Sequence, residues 1–226
     1  MTHQTKNRIN QAAIAIVVWA MNCGFSNAQT SSTAAENHAP VSPDKQWEYK
    51  CAPYGDECAP QLLKAGSTQV VIDLKEDLEM SASESPDAKI FWAPDSKRFA
   101  LNYSPIHRHH IIVESVAFYQ LQEGKWVQLR EPAEDGNHNQ LPQLANGHLP
   151  KGFNPHDCAS DRDVVKVDRW VDASTVTLDA LCYSRTTGTL SAGFLFTLKF
   201  DDAGKWKIVN TRRMSDKEVK ERESEE

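Results

Sequence analysis

The sequence predicts an all-β protein with two blade-like four-stranded antiparallel sheets, arranged either as part of a propeller or as a sandwich. Apolar residues alternate with polar or small residues over short stretches, which is typical of strands with one buried face. Turn-forming residues separate these stretches at short intervals. In addition, the pattern of residues 88–130 returns in degenerate form at residues 164–212, which indicates one supersecondary unit used twice.

The first unit contains four predicted strands joined by turns. Phe99, Leu101 and Tyr103 alternate with smaller or polar residues, as expected of a strand that buries one face. The sequence Pro-Asp-Ser-Lys at 94–97 is turn chemistry, because proline presets φ and aspartate bonds its own backbone. A Glu-Gly turn at 123–124 then predicts a hairpin.

The second unit follows at an offset of 78 residues, with two further residues inserted before its last turn. The aligned pairs are Trp92 with Trp170, Ser96 with Ser174, Phe118 with Phe196, Gly124 with Gly204, and Trp126 with Trp206. The recurring tryptophans are interpreted as core or blade-edge packing residues, with an aromatic binding platform as the alternative.

Residues 92–100 read W-A-P-D-S-K-R-F-A. This stretch resembles the W-S-P-D-G-K-x-[ILF]-A signature of TolB-type and WD-related β-propeller blades, with Ser96 where glycine is usual. The resemblance implies a blade-like sheet. A closed propeller needs about 4–8 blades and the chain has room for two, so we expect either two packed sheets or a propeller completed by oligomerisation.

The first 28 residues have the pattern of a secretory signal peptide. Lys6 and Arg8 precede an apolar run at 12–20, and Ser-Asn-Ala at 26–28 is a small-residue cleavage site. A retained membrane anchor and a lipoprotein acylated at Cys23 are the alternatives. The prediction is a periplasmic or secreted protein whose mature chain has no stable membrane span.

Cleavage after Ala28 would leave 198 of the 226 residues. The removed segment holds two of the 25 basic residues and none of the 31 acidic ones, so the mature formal charge is −8. This balance argues against nucleic-acid binding, which requires clustered lysine and arginine. We predict a flexible linker at 29–46, an all-β domain at 47–213 and a charged tail at 214–226, either a short solvated helix or a frayed segment.

Four cysteines remain in the predicted mature chain, and three connectivities are possible. We favour Cys51–Cys58 as a local bridge and Cys158–Cys182 as a bridge from a loop to a strand of the second unit. An exported protein meets an oxidising compartment, which favours disulfides over a metal or redox site.

A histidine-rich segment occupies positions 107–110. His107 and His109 share a face of an extended chain, a spacing that suits two imidazole ligands of one Zn²⁺ or Cu²⁺, and His156 is a candidate third ligand. The same segment, with Arg108 and His110, is also a candidate partner-binding loop. Alternating oxygen donors at 135–139 lack the glycine and glutamate of a calcium loop, so no cofactor is predicted.

The sequence contains no G-x-S-x-G elbow, H-E-x-x-H motif, P-loop or dinucleotide fingerprint. We therefore expect an exported binding or scaffold module, not an enzyme. Its ligand would be a protein or a cell-envelope component, bound through residues 104–111 and the long connection 131–163. Two alternatives stay open: a metal-dependent hydrolase using the histidines at 107–110, and a structural subunit that completes an oligomeric propeller.

Overall fold

A computed structural model describes residues 40–54, 57–78, 88–108, 111–131, 140–145, 147–149 and 151–224. The predicted signal peptide and residues 29–39 of the predicted linker lie outside the described residues. The fold is all-β, as predicted, with a three-stranded sheet and a larger mixed sheet in the described part of the chain. No helix within these ranges is long and apolar enough to cross a membrane.

The N-terminal sheet has three strands and precedes the first predicted unit. Its strands are β1 (Trp47–Tyr54), β2 (Glu57–Lys64) and β3 (Val70–Asp73), followed by the short helix α1 (Leu74–Asp77). All neighbouring strands pair antiparallel. Asp73 caps α1, because its side chain accepts a hydrogen bond from the backbone N–H of Glu76.

The larger sheet consists of two antiparallel meanders. Meander 1 comprises β4 (Lys89–Trp92), β5 (Arg98–Arg108), β6 (Ile111–Gln122) and β7 (Lys125–Gln128). Meander 2 comprises β8 (Cys158–Asp172), β9 (Thr175–Ser184), β10 (Leu190–Phe200) and β11 (Trp206–Arg213). The meanders coincide with the two predicted four-stranded units, although β8 begins at Cys158, earlier than the predicted boundary at 164.

The two meanders join at β6. One edge of β6 pairs with β5, and the C-terminal part of its other edge pairs with β7. The N-terminal part of that second edge, Ile112 to Glu114, pairs in parallel with Arg162 to Val164 of β8. The point where β7 and β8 diverge along β6 is called the fork. The parallel pairing makes one mixed sheet from the two expected sheets.

Meander 1 is buried on both faces. One face packs against meander 2 and α2 (Gln140–Ala145), and the other packs against the N-terminal sheet and α1. The first interface includes Ala100, Phe118, Leu178 and Phe196, and the second includes Leu62, Phe99, Leu101 and Tyr119. The alternation of residues along β5 is therefore an alternation between two cores.

The C-terminal segment forms a short helix, one of the two predicted alternatives, but the helix contacts the sheet and is not wholly solvated. Helix α3 (Asp216–Glu223) begins with a capping box between Ser215 and Glu218. Met214 and Val219 pack on the outer face of meander 2. A Cβ at position 193 would clash with Met214 Sδ, so a larger residue there would require the Met214 side chain to move.

The disulfide Cys158–Cys182 is present, as predicted, and ties the start of β8 to β9. Cys51 is also disulfide-bonded. The side chain of Cys58 lies outside the described part of the chain, so the Cys51–Cys58 pairing stays a prediction.

Candidate functional site

The structure places the predicted histidine site only in part. His107 lies on β5 opposite Ile112 of β6, which in turn pairs with Arg162 near the start of β8. His156 is exposed in a short 3₁₀ helix (Pro155–Asp157) just before β8, so both belong to the same end of the sheet. The side chains of His107 and Arg108, and all of His109 and His110, lie outside the described residues. Within the described ranges, no group of three or more His, Cys, Asp or Glu side chains is arranged to hold a metal ion.

The long connection 131–163 is less loop-like than predicted. Leu141 and Leu144 of α2 are buried in the core between the meanders. The Phe153 ring lies 4.5 Å from that of Phe194, measured between centroids. These contacts contradict the expectation that the whole connection is available to a partner. The remaining polar stretch, 132–139, includes the residues 135–139 that were compared with a calcium loop. This stretch lies outside the described residues.

A network of hydrogen bonds joins the residues from which the two predicted binding segments begin. The predicted loop 104–111 is mostly strand, because β5 continues to Arg108 and β6 begins at Ile111. Tyr103 lies in β5 just before this segment, and Glu131 is the first residue of the long connection. The Tyr103 hydroxyl donates to Glu131 Oε1 at 3.4 Å, and Gln128 Nε2 donates to the same oxygen at 2.8 Å. The second carboxylate oxygen, Oε2, has no partner among the described residues.

The network continues inward at the fork. Ser115 lies opposite Tyr103 in the β5–β6 register, within hydrogen-bonding reach of it. Its hydroxyl donates to Gln140 Oε1 at 2.9 Å, and Gln140 Nε2 donates to the Glu114 carbonyl at 2.9 Å. The buried Asp163 carboxylate accepts the Gln140 backbone N–H at 2.5 Å. Asp163 thus satisfies one of the unpaired N–H groups at the start of α2 and fixes this helix to β8.

A second tyrosine–carboxylate pair lies nearby on the same face of meander 1. The Tyr119 hydroxyl donates to Asp77 Oδ2 at 2.6 Å, which connects β6 to α1. Burial raises the pKa of both Tyr103 and Tyr119 well above the ordinary value, and their carboxylate neighbours raise it further. Burial also raises the pKa of Glu131, against the two hydrogen bonds that it accepts. The phenols therefore remain protonated donors, a role suited to holding groups in place.

Sequence reasoning did not identify this network. The sequence predicts a half-buried strand at Tyr103 and a loop that begins at Glu131, but the contact between them joins residues 28 positions apart. Gln140 was not singled out at all. The available signal was the pair Leu141 and Leu144, whose spacing is helical. Prolines at 142 and 150 obscured that pattern.

Comparisons with known proteins give no match: no protein-family model, curated protein or solved structure is similar to this chain. The resemblance to propeller blades stays a prediction.

Proposed function

We propose that the protein is an exported binding module that captures a protein or cell-envelope component through loops next to the fork. The observation that carries the proposal is the Tyr103–Glu131 hydrogen bond, because it joins the roots of both predicted binding loops. The end of the β5–β6 pair and the start of the long connection are held at one point and are able to contact the same ligand.

The electrostatics of Glu131 support a role in recognition. Gln128 and Tyr103 occupy Oε1, whereas Oε2 is unpaired within the described residues. A donor from the ligand, such as an amide or a basic side chain, would pair with Oε2. Charge-assisted hydrogen bonds of this kind are roughly twice as strong as neutral ones.

The test must spare the core-packed part of the connection. Replacing residues 131–163 as a whole would remove α2 and the start of β8, so only 132–139 is replaced, by a Gly-Ser segment of equal length. In the otherwise unchanged chain, a photo-crosslinking residue at position 133 should give a discrete adduct with the bound partner in the native envelope fraction. Its yield should fall at least fivefold when Glu131 is changed to Gln.

The matched control is the exposed β9–β10 turn, 185–187. A Gly-Ser replacement there should leave the adduct from position 133 unchanged. The same crosslinker placed at position 186 should give no adduct of that mass. Equal adducts from both positions, or no effect of Glu131→Gln, would exclude the fork loops as the binding surface.

A further inference from the structure

The last strand of the larger sheet has an unoccupied edge. β11 pairs with β10 on one side, and no strand of the described chain pairs with its other side. It has eight residues, whereas the edge strands β3, β4 and β7 have four each. The outer edge of β1, also eight residues long, is occupied in part by Pro40 and Val41. β11 therefore presents a long row of backbone groups with which a further strand can pair.

The direction of these backbone groups follows from the bonds at the two ends of the β10–β11 pair. The Lys205 carbonyl accepts the Asp201 N–H, and the Met214 N–H donates to the Gly193 carbonyl. In an antiparallel pair such bonds recur at every second residue, and Val209 is one extra residue, a bulge, in β11. Counted from both ends, three residues direct their backbone N–H and C=O groups away from β10: Trp206, Ile208 and Thr211.

The side chains of β11 alternate between two environments. Trp206 and Ile208 are half-buried against the core between the meanders, and the exposed Lys207 between them lies on the opposite face of the sheet. Lys207 is directly opposite Lys199 of β10, which is also exposed. Because like charges in this position repel each other, the outer face of this edge favours an anionic neighbour. The inner face, next to Trp206 and Ile208, favours an apolar one.

The charge of this edge is opposite in sign to that of the whole chain. Residues 205–213 contain four basic residues and no acidic one, in a chain with a formal net charge of −6. All four basic side chains are exposed: Lys205, Lys207, Arg212 and Arg213. Among the described residues, Arg212 forms an ion pair with Glu218 of α3, and the other three form none.

Two exposed acidic residues, Asp201 and Asp202, lie in the turn that precedes β11. Asp201 Oδ1 accepts the Lys205 backbone N–H. With Lys199 included, four basic residues without an ion pair in the described chain outnumber these two carboxylates. The edge of β11 therefore carries a net positive charge.

We propose that β11 binds an extended segment of a partner protein, in which acidic and apolar residues alternate, as an added strand of the sheet. The backbone groups of Trp206, Ile208 and Thr211 form the new ladder, and the acidic side chains pair with Lys207 and its basic neighbours. The β11 of a second copy is a poor occupant, because it places like charges beside one another. Lysines and bulges protect natural sheet edges from indiscriminate pairing, and here they select the sign of the partner's charge.

This surface is separate from the fork loops, because β8, β9 and β10 lie between β11 and β6 in the strand order. The Gly-Ser replacement of 132–139 should therefore leave binding at β11 unchanged. Failure of one proposal does not affect the other.

The test uses the full disulfide-bonded chain and three capped octapeptides at neutral pH. The first alternates glutamate and valine, and the second alternates lysine and valine. The third is the glutamate–valine peptide with its two central valines replaced by proline. Only the first should bind saturably in calorimetry, because the second has the wrong charge and the third lacks two backbone donors. No saturable binding of the first peptide, or equal binding of the first and second, would overturn the proposal.

Two charge-reversal variants provide the matched comparison. Lys207→Glu should weaken binding of the glutamate–valine peptide at least fivefold and should allow the lysine–valine peptide to bind. Lys89→Glu reverses an exposed lysine in β4, the edge strand at the other end of the sheet order, and should leave both affinities within twofold. Equal effects of the two variants would mean that the peptides respond to net charge and not to β11, against the proposal.

Hydrogen exchange of the wild-type protein locates the bound peptide without any substitution. The backbone amides of Trp206, Ile208 and Thr211 should exchange rapidly in the protein alone and slowly with the glutamate–valine peptide bound. The amides of Lys207 and Arg212, which face β10, should be protected in both states. Slowed exchange elsewhere but not at the three outward amides would contradict strand addition. Protection of those amides without peptide, rising with protein concentration, would show that a second copy occupies the edge and would also overturn the proposal.

Discussion

The two meanders share a strand order but differ in how they are buried. In meander 1, Trp92 and Trp126 face the N-terminal sheet, and Phe118 faces meander 2. In meander 2, Trp170 and Phe196 both face the core between the meanders. The aligned residues thus occupy equivalent strands without occupying equivalent faces. A residue that recurs in a sequence repeat predicts a position along a strand. It is a poorer predictor of the face of the sheet on which its side chain lies.

The turns of the meanders differ as well. Ser96 has a left-handed φ of 58°, which explains why the blade signature has glycine at this point. Its hydroxyl oxygen accepts a hydrogen bond from the Asp44 backbone N–H at 2.9 Å, so the serine attaches the N-terminal segment to meander 1. Ser174, in the equivalent turn, has no positive φ and bonds locally to Asp172. Meander 1 is thus the layer against which both the N-terminal sheet and meander 2 pack.

This difference predicts unequal costs for equal truncations. Leu101 and Leu181 are both fully buried, but Leu101 lies between meander 1 and the N-terminal sheet, and Leu181 lies under Met214 and α3. Leu101→Ala should lower the free energy of unfolding by about 4 kcal/mol, and Leu181→Ala by about 2.5 kcal/mol, because a short helix relaxes into a cavity more readily than a sheet does. Urea unfolding of the oxidised protein measures both. Equal losses of unfolding free energy in the two variants would show that both layers respond to a cavity in the same way.

The second prediction concerns the link between the meanders. Buried Arg98 donates to Gln120 Oε1 and to the carbonyls of Ala173 and Asp201, each at 2.9 Å. Arg98→Met should lower the free energy of unfolding by about 3 kcal/mol, since Gln120 Oε1 would stay buried without its donor and two carbonyls would lose theirs. The exposed Arg169 is the control, and Arg169→Met should change stability by less than about 0.5 kcal/mol. A loss below about 1 kcal/mol for Arg98→Met would show that the hydrogen bonds of Arg98 contribute little to holding the meanders together.

Local sequence patterns predicted the individual strands and turns of this fold better than the pairing and packing between distant elements. Alternation at Phe99, Leu101 and Tyr103 identified β5, and the Glu-Gly turn identified the β6–β7 hairpin, because both depend on neighbours in sequence. The parallel pairing of β6 with β8 depends on residues about 50 positions apart, and no local pattern encodes it. Helix α3 was detectable, since Ser215 and Glu218 have capping-box spacing. Its docking was not, because that depends on Asp179 in a distant strand.

The outer face of meander 2 should make the stability of the fold depend on pH. Asp179 is 2% exposed, and Arg222 of α3 donates to it at 2.5 Å and to Asp168 at 2.8 Å. Burial raises the pKa of Asp179 to about 6, against the favourable charge of Arg222. Because the folded state binds this proton more tightly than the unfolded chain, the stabilisation is present at low pH and is lost as pH rises through about 6.

The expected loss of unfolding free energy between pH 5 and pH 7 is about 1 kcal/mol for this group. Urea midpoints over that range should show it, and Asp179→Asn should reduce the slope. Burial also raises the pKa of Glu131, which contributes a smaller slope of the same sign. Comparison of the pH slopes of Glu131→Gln and Asp179→Asn separates the contribution of Glu131 from that of Asp179. The pKa of Glu218 is lowered by Arg212, so its titration lies below the range measured. An unchanged slope in Asp179→Asn would assign the effect to another group.

The smallest expected effect gives the closest comparison of the two meanders. Trp92 and Trp170 are 4% and 5% exposed, so replacing either by phenylalanine removes a similar volume from a similar depth. Trp170→Phe also removes the donor to the Phe91 carbonyl, whereas Trp92→Phe removes an N–H that has no acceptor among the described residues. Trp170→Phe should therefore cost about 0.5–1 kcal/mol more in urea unfolding. A greater cost for Trp92→Phe would mean that its indole N–H contributes to stability through the neighbouring rings, and the contrast between paired and unpaired indoles would no longer separate the two meanders.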